Sequence, residues 1–212
     1  MKRFTILFII VIMFNNLING QINYGIRVGC GVSDVLQDLD KEEIEEIKHN
    51  GEGPVYNPIF AFQTGVFLSD TIINHFFWKG ELMLSHYGFR EYYYDFFEFG
   101  PNSPEIRDIS HLYYLNIPIV LETNILFPEW LIICFGFNNG IYLNKISDNN
   151  LPYFLKIYDL KFTGGLSIAY KRLALDFEFN QSLNNISKPR GIISENLYNR
   201  ALLLSLRYKL SD

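Results

Sequence analysis

The chain of 212 residues has a formal net charge of −5, with 49% hydrophobic and only 19% charged residues. That length fits one domain of moderate size, and a negative charge without a basic stripe speaks against nucleic acid as a partner. Aromatics reach 17%, with 14 Tyr and 19 Phe, a surplus that girdles at two bilayer interfaces would use; two cysteines, Cys30 and Cys134, are too few for a disulfide framework or a zinc site.

Met1 to Gly20 reads as a cleavable signal peptide, leaving 21–212 as a single mature domain. Lys2 and Arg3 form a basic start, and the apolar run Phe4 to Phe14 ends quickly in Asn15-Asn16. That run is too short for a stable membrane helix, and no later window approaches about 18 consecutive apolar residues.

Strict alternation begins at once. From Ile22 to Ser33, Ile22, Tyr24, Ile26, Val28, Cys30 and Val32 share one parity; Asn23, Gly25, Arg27, Gly29, Gly31 and Ser33 take the other. A period of two means a strand with its two faces in different surroundings. Val35 to Pro58 breaks the pattern and reads as a loop, with a short exposed helix over Asp40 to Lys48. Ile59 to Ser69 is the second strand, and Asp70 to His75 a short connection.

Trp78 to Arg90 is the third strand, with Trp78, Leu82 and Leu84 on the apolar side and Lys79, Glu81 and Ser85 on the polar side. Glu91 to Ser110 reads as a second long connection, rich in Tyr and Phe, as an interfacial belt would be. Leu112 to Glu122 is the fourth strand. Pro118 falls on its polar parity, where the missing ladder donor predicts a local bulge. Leu131 to Leu143 is the fifth, with Ile133, Phe135, Phe137 and Ile141 opposed to Cys134, Gly136, Asn138 and Gly140.

Tyr158 to Leu183 is a hairpin around Lys171-Arg172. Leu160, Phe162, Leu166, Ile168, Leu173, Leu175, Phe177 and Phe179 face one way; Asp159, Lys161, Thr163, Ser167, Asp176, Glu178, Asn180 and Ser182 face the other. Asn199 to Leu210 is the eighth strand, with Leu202, Leu204, Leu206 and Tyr208 opposed to Ser205, Arg207 and Lys209.

Eight strands with alternately long and short connections, each strand about as long as the 9–11 residues a tilted crossing needs, predict an all-β fold. The fold expected is an eight-stranded antiparallel up-and-down transmembrane β-barrel, apolar side outward to lipid and charged side inward. The inward set then includes Arg27, Lys79, Glu81, Glu122, Asp159, Lys161, Asp176, Glu178 and Arg207, with Arg172 and Lys209 assigned to the same face. An eight-stranded barrel has room only for its own side chains. A paired interior network is therefore expected, structural in role, rather than an aqueous pore.

The order and spacing of several short stretches resemble the PorT-like outer-membrane β-barrel family of Bacteroidota, a branch of the small OmpA/OmpX-type barrels. The stretches are Gly25-Ile-Arg-Val-Gly29, Phe62-Gln-Thr-Gly65-Val-Phe67, Tyr114-Leu-Asn-Ile-Pro118, Gly164-Gly165-Leu-Ser-Ile-Ala-Tyr170, Asn180-Gln-Ser-Leu-Asn-Asn-Ile186, and Asn199-Arg200 followed by Leu204-Ser-Leu-Arg-Tyr208. The resemblance implies a Gram-negative outer-membrane location and tolerance of proline at Pro118. The last strand departs from the family in ending Tyr208-Lys209-Leu210-Ser211-Asp212 instead of on a terminal aromatic.

The function expected is that of an integral, non-enzymatic outer-membrane barrel with a filled lumen and long outer loops. Its partners would be outer-membrane lipids, the barrel-insertion machinery and proteins met through the loops. Two alternatives stand beside it. A lipid-modifying enzyme would need a Ser-His-acid set; Ser85-His86 and Ser110-His111 are poorly posed, since strand neighbours point to opposite faces. A soluble periplasmic barrel for a small apolar ligand would need the opposite parity inside. No phosphate loop, redox motif or metal-ligand spacing appears, so no cofactor is expected.

Overall fold

The computed structural model describes residues 22–37, 52–95, 105–124, 128, 130–147, 155–187 and 196–211. The proposed signal segment and the proposed helix at Asp40 to Lys48 lie outside them. Eight strands follow in chain order: β1 Asn23–Gln37, β2 Glu52–Ile73, β3 Phe76–Asp95, β4 Glu105–Thr123, β5 Leu131–Ser147, β6 Tyr158–Tyr170, β7 Leu173–Ser182 and β8 Leu197–Lys209. Each pairs antiparallel with the next. β1 closes on β8 through pairs such as Ile26 with Tyr208 and Cys30 with Leu204. The fold is an up-and-down eight-stranded barrel with no free edge, the kind that outer membranes hold. In hydrocarbon every backbone group must find a partner within the protein, and closure supplies that.

The alternation of the sequence is the wall of the barrel. Phe177 is 56% exposed, Leu204 45% and Ile117 37%, while their neighbours Asp176, Ser205 and Asn116 are buried. Outward apolar side chains form a belt of five or six positions on most strands, from Tyr24 to Val32 on β1 and from Leu202 on β8 to Leu210 just past its end. The belt ends at an outward ion pair. Arg200 donates to Asp34 at 2.9 Å where those residues face each other in the ladder.

At one end the strands join through tight turns. His75 and Lys171 adopt φ of 70° and 55°, the left-handed region that two-residue hairpin turns demand. At the other end the strands run beyond the belt. β2 starts at Glu52, β3 continues to Asp95 and β4 starts at Glu105. This corrects the loops expected at Val35 to Pro58 and Glu91 to Ser110, whose flanks are strand. The reason is burial. Val35, Phe89, Leu112 and Leu197 all bury against one another inside the barrel above the belt, so the sheet has a core to cover there.

Pro118 makes no bulge. The pairs Gly80–Ile119 and Met83–Asn116 keep one register across it, and only the two intervening pairs drop out. The missing N–H is absorbed as a gap in the β3–β4 ladder. The register shifts occur elsewhere, at Pro58/Phe62, Thr71/Ile73, Glu91/Tyr92 and Tyr113/Tyr114. The last of these turns Lys145 from the outward to the inward side, toward Asp108 at 3.9 Å.

Candidate functional site

The lumen is filled in three tiers, counted from the turn end. The lowest is a lattice of charge. Arg27 on β1 reaches Glu81 on β3 at 2.6 Å and Glu178 on β7 at 2.5 Å, with its Nε 3.5 Å from Asp176. Lys79 lies 3.1 Å from Glu81 and 2.9 Å from Glu122. Arg207 on β8 donates to Glu122 on β4 at 2.9 Å and to Asp176 at 3.2 Å. All seven side chains are buried. Each cation meets at least two carboxylates, which offsets the cost of removing it from water.

Backbone spacing makes room for this lattice. A Cβ on Gly29 would stand 2.1 Å from the Ser205 hydroxyl oxygen. That hydroxyl accepts from Arg27 at 3.3 Å and from Gln63 at 3.1 Å. A side chain at Gly29 would push Ser205 off both donors.

The middle tier is a single ammonium among amides and phenols. Lys161 lies 3.3 Å from Asp159 and donates to Asn116 Oδ1 at 3.0 Å. Its Nζ also sits over the rings of Tyr87 and Tyr114, 4.8 and 4.5 Å from their centroids, so the charge is met by π faces as well as by oxygen. Asp159 accepts from Asn199 at 2.7 Å and from Ser182 at 2.6 Å. Asn199 also donates to the Tyr114 hydroxyl at 3.0 Å.

The upper tier is apolar. Val35, Phe89, Leu112, Leu155, Ile186 and Leu197 close the lumen above Tyr87 and Tyr114, with Tyr56 and Tyr142 packed against them. Tyr56 meets Phe89 edge to face at 5.0 Å. Beside the plug, Lys145 faces Leu112 across the β4–β5 ladder and points inward, 3.9 Å from Asp108.

The structure thus brings together all nine residues singled out from the sequence: Arg27, Lys79, Glu81, Glu122, Asp176, Glu178 and Arg207 in one lattice, Asp159 and Lys161 in the tier above. Arg172 and Lys209 do not join them. Arg172 is exposed in the β6–β7 turn and Lys209 is only partly covered at the turn end. The apolar plug is what sequence reasoning missed. Its signal was available in Tyr87 and Phe89, which continue the parity of Lys79, Glu81 and Ser85 beyond the belt.

The serine-histidine neighbours are split by the sheet. Ser85 and Ser110 are buried inside, and the Ser85 hydroxyl accepts from Asn116 at 2.7 Å. His86 and His111 stand on the outer wall, joined to each other at 2.9 Å. Cys30 faces outward and Cys134 inward, and both are free thiols.

No protein-family model and no curated protein sequence matches the chain. Solved structures do. Neisserial surface protein A is similar over 88% of this chain and 97% of its own, at 10% identity and a TM-score of 0.52. Ail, the attachment invasion locus protein of Yersinia pestis, matches over 89% and 98% at 13% identity, with a TM-score of 0.42. The outer membrane protein OprG of Pseudomonas aeruginosa matches over 90% and 95% at 9% identity, with a TM-score of 0.44. At these identities the first likeness speaks to the fold, an eight-stranded barrel of the outer-membrane kind.

Proposed function

We propose that this chain is an integral outer-membrane protein that neither conducts nor catalyses, and that works through the rim and loops at its long-connection end. The observation that carries the reading is the sorting of its two faces. Apolar side chains wrap the outside as a continuous belt, and the charges inside are paired across the lumen. Hydrocarbon is the solvent that such an outer face fits, and moving the inward charges to it would cost about 2–4 kcal/mol for each base near mid-membrane.

A filled lumen argues against transport. Among the described residues three tiers of buried side chains occupy the lumen, and near-balanced charge offers no selectivity ring. The strands that rise past the belt make a stiff stem for the connections at 38–51 and 96–104, a geometry suited to holding a partner-binding surface clear of the membrane. Within this reading the chain belongs beside the PorT-like barrels that its short stretches resemble. It is exported by its first 20 residues and seated by the barrel-insertion machinery.

Membrane fractionation combined with heat-modifiable gel mobility tests the location, and planar-bilayer recording tests the closure. Recovery from the outer-membrane fraction, with faster migration of the unheated band and no conductance, is the expected result. A soluble periplasmic protein would end the membrane reading, and stable unitary currents would end the closed-lumen part of it.

A further inference from the structure

On the outer wall, where β2, β3 and β4 leave the apolar belt, stands a polar group that the lumen does not use. His86 and His111 join through Nε2 of the first and Nδ1 of the second, 2.9 Å apart. Their rings lie side by side, tilted by 26° with centroids 5.1 Å apart, as an in-plane N–H···N bond requires. Phe62 stacks on His86 at 5.1 Å, and Tyr113 leans on it at 5.2 Å. His86 is only 7% exposed, and its Nδ1 is enclosed without a hydrogen-bond partner.

That enclosure selects the tautomer. If Nδ1 carried the proton of a neutral His86, an N–H donor would be sealed in an aromatic stack with nothing to accept it. Placing the proton on Nε2 leaves only an unused acceptor there, the smaller penalty. His86 then donates to His111 Nδ1, and the proton of a neutral His111 is held on Nε2, turned away from the pair.

His111 lies opposite Gly88 in the ladder, and Arg90 lies two residues further along β3, opposite Ile109. Gly88 presents no side chain between them. Diagonal neighbours on adjacent strands stand about 7–8 Å apart, a span that one tetrahedral anion can bridge. Arg90 donates to the Tyr92 hydroxyl at 3.3 Å, while its Nε is enclosed without a partner. Among the described residues of this wall the outward neighbours include the polar Asn57, Asn144 and Tyr92 and the apolar Ile109 and Ile146, none of them a carboxylate. Glu91 and Asp108 are buried on the other side of the sheet.

We propose that His111 Nε2–H and the Arg90 guanidinium bind the phosphate group of a membrane lipid, whose acyl chains lie along the belt residues Phe62, Leu84 and Leu115 directly below. His86 is a positioning residue that fixes the His111 donor. The inference rests on the membrane-spanning reading, since only then does a lipid headgroup sit at this height.

The test uses the full chain in nanodiscs of phosphatidylcholine doped with phosphatidic acid. Lipids retained after release are counted by native mass spectrometry. The wild type should retain phosphatidic acid over phosphatidylcholine by about tenfold, the scale of one charge-assisted hydrogen bond. Arg90→Gln combined with His111→Phe should bring retention to parity while heat-modifiable mobility stays unchanged. His86→Phe should weaken the preference and His86→Gln, whose amide can still donate to His111 Nδ1, should keep it. Lys171→Gln, in the turn at the opposite end, should leave it intact. Equal retention of both lipids by an inserted wild-type barrel, or an undiminished preference in the double variant, overturns the site. Retention that inorganic phosphate abolishes reassigns it to free anions and overturns the lipid assignment. Equal behaviour of the two His86 variants overturns the positioning role. A chain that fails to enter the nanodiscs at all would instead remove the membrane reading itself.

Discussion

Arg207 on β8 and Glu122 on β4 touch at 2.9 Å across the full width of the barrel, because β4 and β8 stand opposite each other in the ring of eight. One tier higher, Asn199 and Tyr114 join the same two strands at 3.0 Å. Direct contact between opposite walls places protein side chains at the centre of the lumen at both heights. It also ties the two halves of the chain together far apart in sequence.

Breaking the lower tie should therefore be costly. Glu122→Ala leaves both Lys79 and Arg207 short of a carboxylate in a buried site, and removal of one partner from such a pair costs about 3–5 kcal/mol. The double variant Glu122→Leu with Arg207→Met removes both charges and should recover a large share of that loss, since Lys79 keeps Glu81 at 3.1 Å. Urea unfolding of the refolded barrel in lipid vesicles, followed by gel mobility, measures both. Additive losses in the double variant would show that the lattice is not a coupled unit.

The Asp34–Arg200 pair offers the contrast. It lies on the outer wall, and the Arg200 side chain is 40% exposed. An exposed pair is worth about 0–1 kcal/mol. Arg200→Gln should shift the unfolding midpoint far less than Glu122→Ala, and raising salt should erase the difference from wild type. A loss as large as that of the buried lattice would mean that this edge of the belt is drier than its exposure indicates.

The apolar plug should act on stability and not on conduction. Phe89→Ala opens space beside Tyr56, Leu112 and Tyr87, and truncating a buried Phe costs about 3–5 kcal/mol. The charge lattice below remains shut, so planar-bilayer recordings of the variant should stay silent while its unfolding midpoint drops. Channel activity from this single change would show that the plug alone had been closing a path.

How far the sequence carried the fold depends on where its two faces differ. Between Tyr158 and Leu183 the alternation of Phe177 with Asp176 and Glu178 is unbroken, and the hairpin lies where the pattern puts it. The wall of the lower lumen was legible for the same reason, because charge and lipid cannot share a side. Past the belt both faces become mixed. Phe89 and Leu112 point inward, His86 and Arg90 outward, and a period of two in hydropathy no longer marks the strand. The strands continue there for a reason no local pattern contains: residues from β1, β3, β4 and β8 meet as one core. Pro118 misled for a related reason. A missing donor predicts a local defect, but whether the ladder shifts or merely skips depends on the neighbouring strand.

The two thiols report the orientation without altering it. Cys30 faces outward in the belt and Cys134 is buried in the lumen. In the folded barrel in lipid, a lipophilic maleimide should label Cys30, and a charged, water-soluble one should label neither. In urea both reagents should label both residues. Rapid modification of Cys30 by the charged reagent in the membrane would place this wall in water.

The decisive substitutions are on the outer face. Phe177 and Leu204 face each other in the β7–β8 ladder in the middle of the belt, and a basic residue there would be held in hydrocarbon. Leu204→Arg should cost about 2–4 kcal/mol of stability in a bilayer, whereas a base at the rim costs about 0–1. Leu210→Arg, near the turn-end edge, supplies that comparison. Ser205→Ala, one residue from Leu204 but inside the lumen, should lose only what the Ser205 hydroxyl gives Arg27 and Gln63. The depth profile distinguishes lipid from water as the outer solvent: in water Leu204→Arg would be harmless or would improve solubility. A flat profile across Leu204, Leu206 and Leu210 would take away the membrane on which the closed lumen, the outer stem and the lipid-phosphate site all depend.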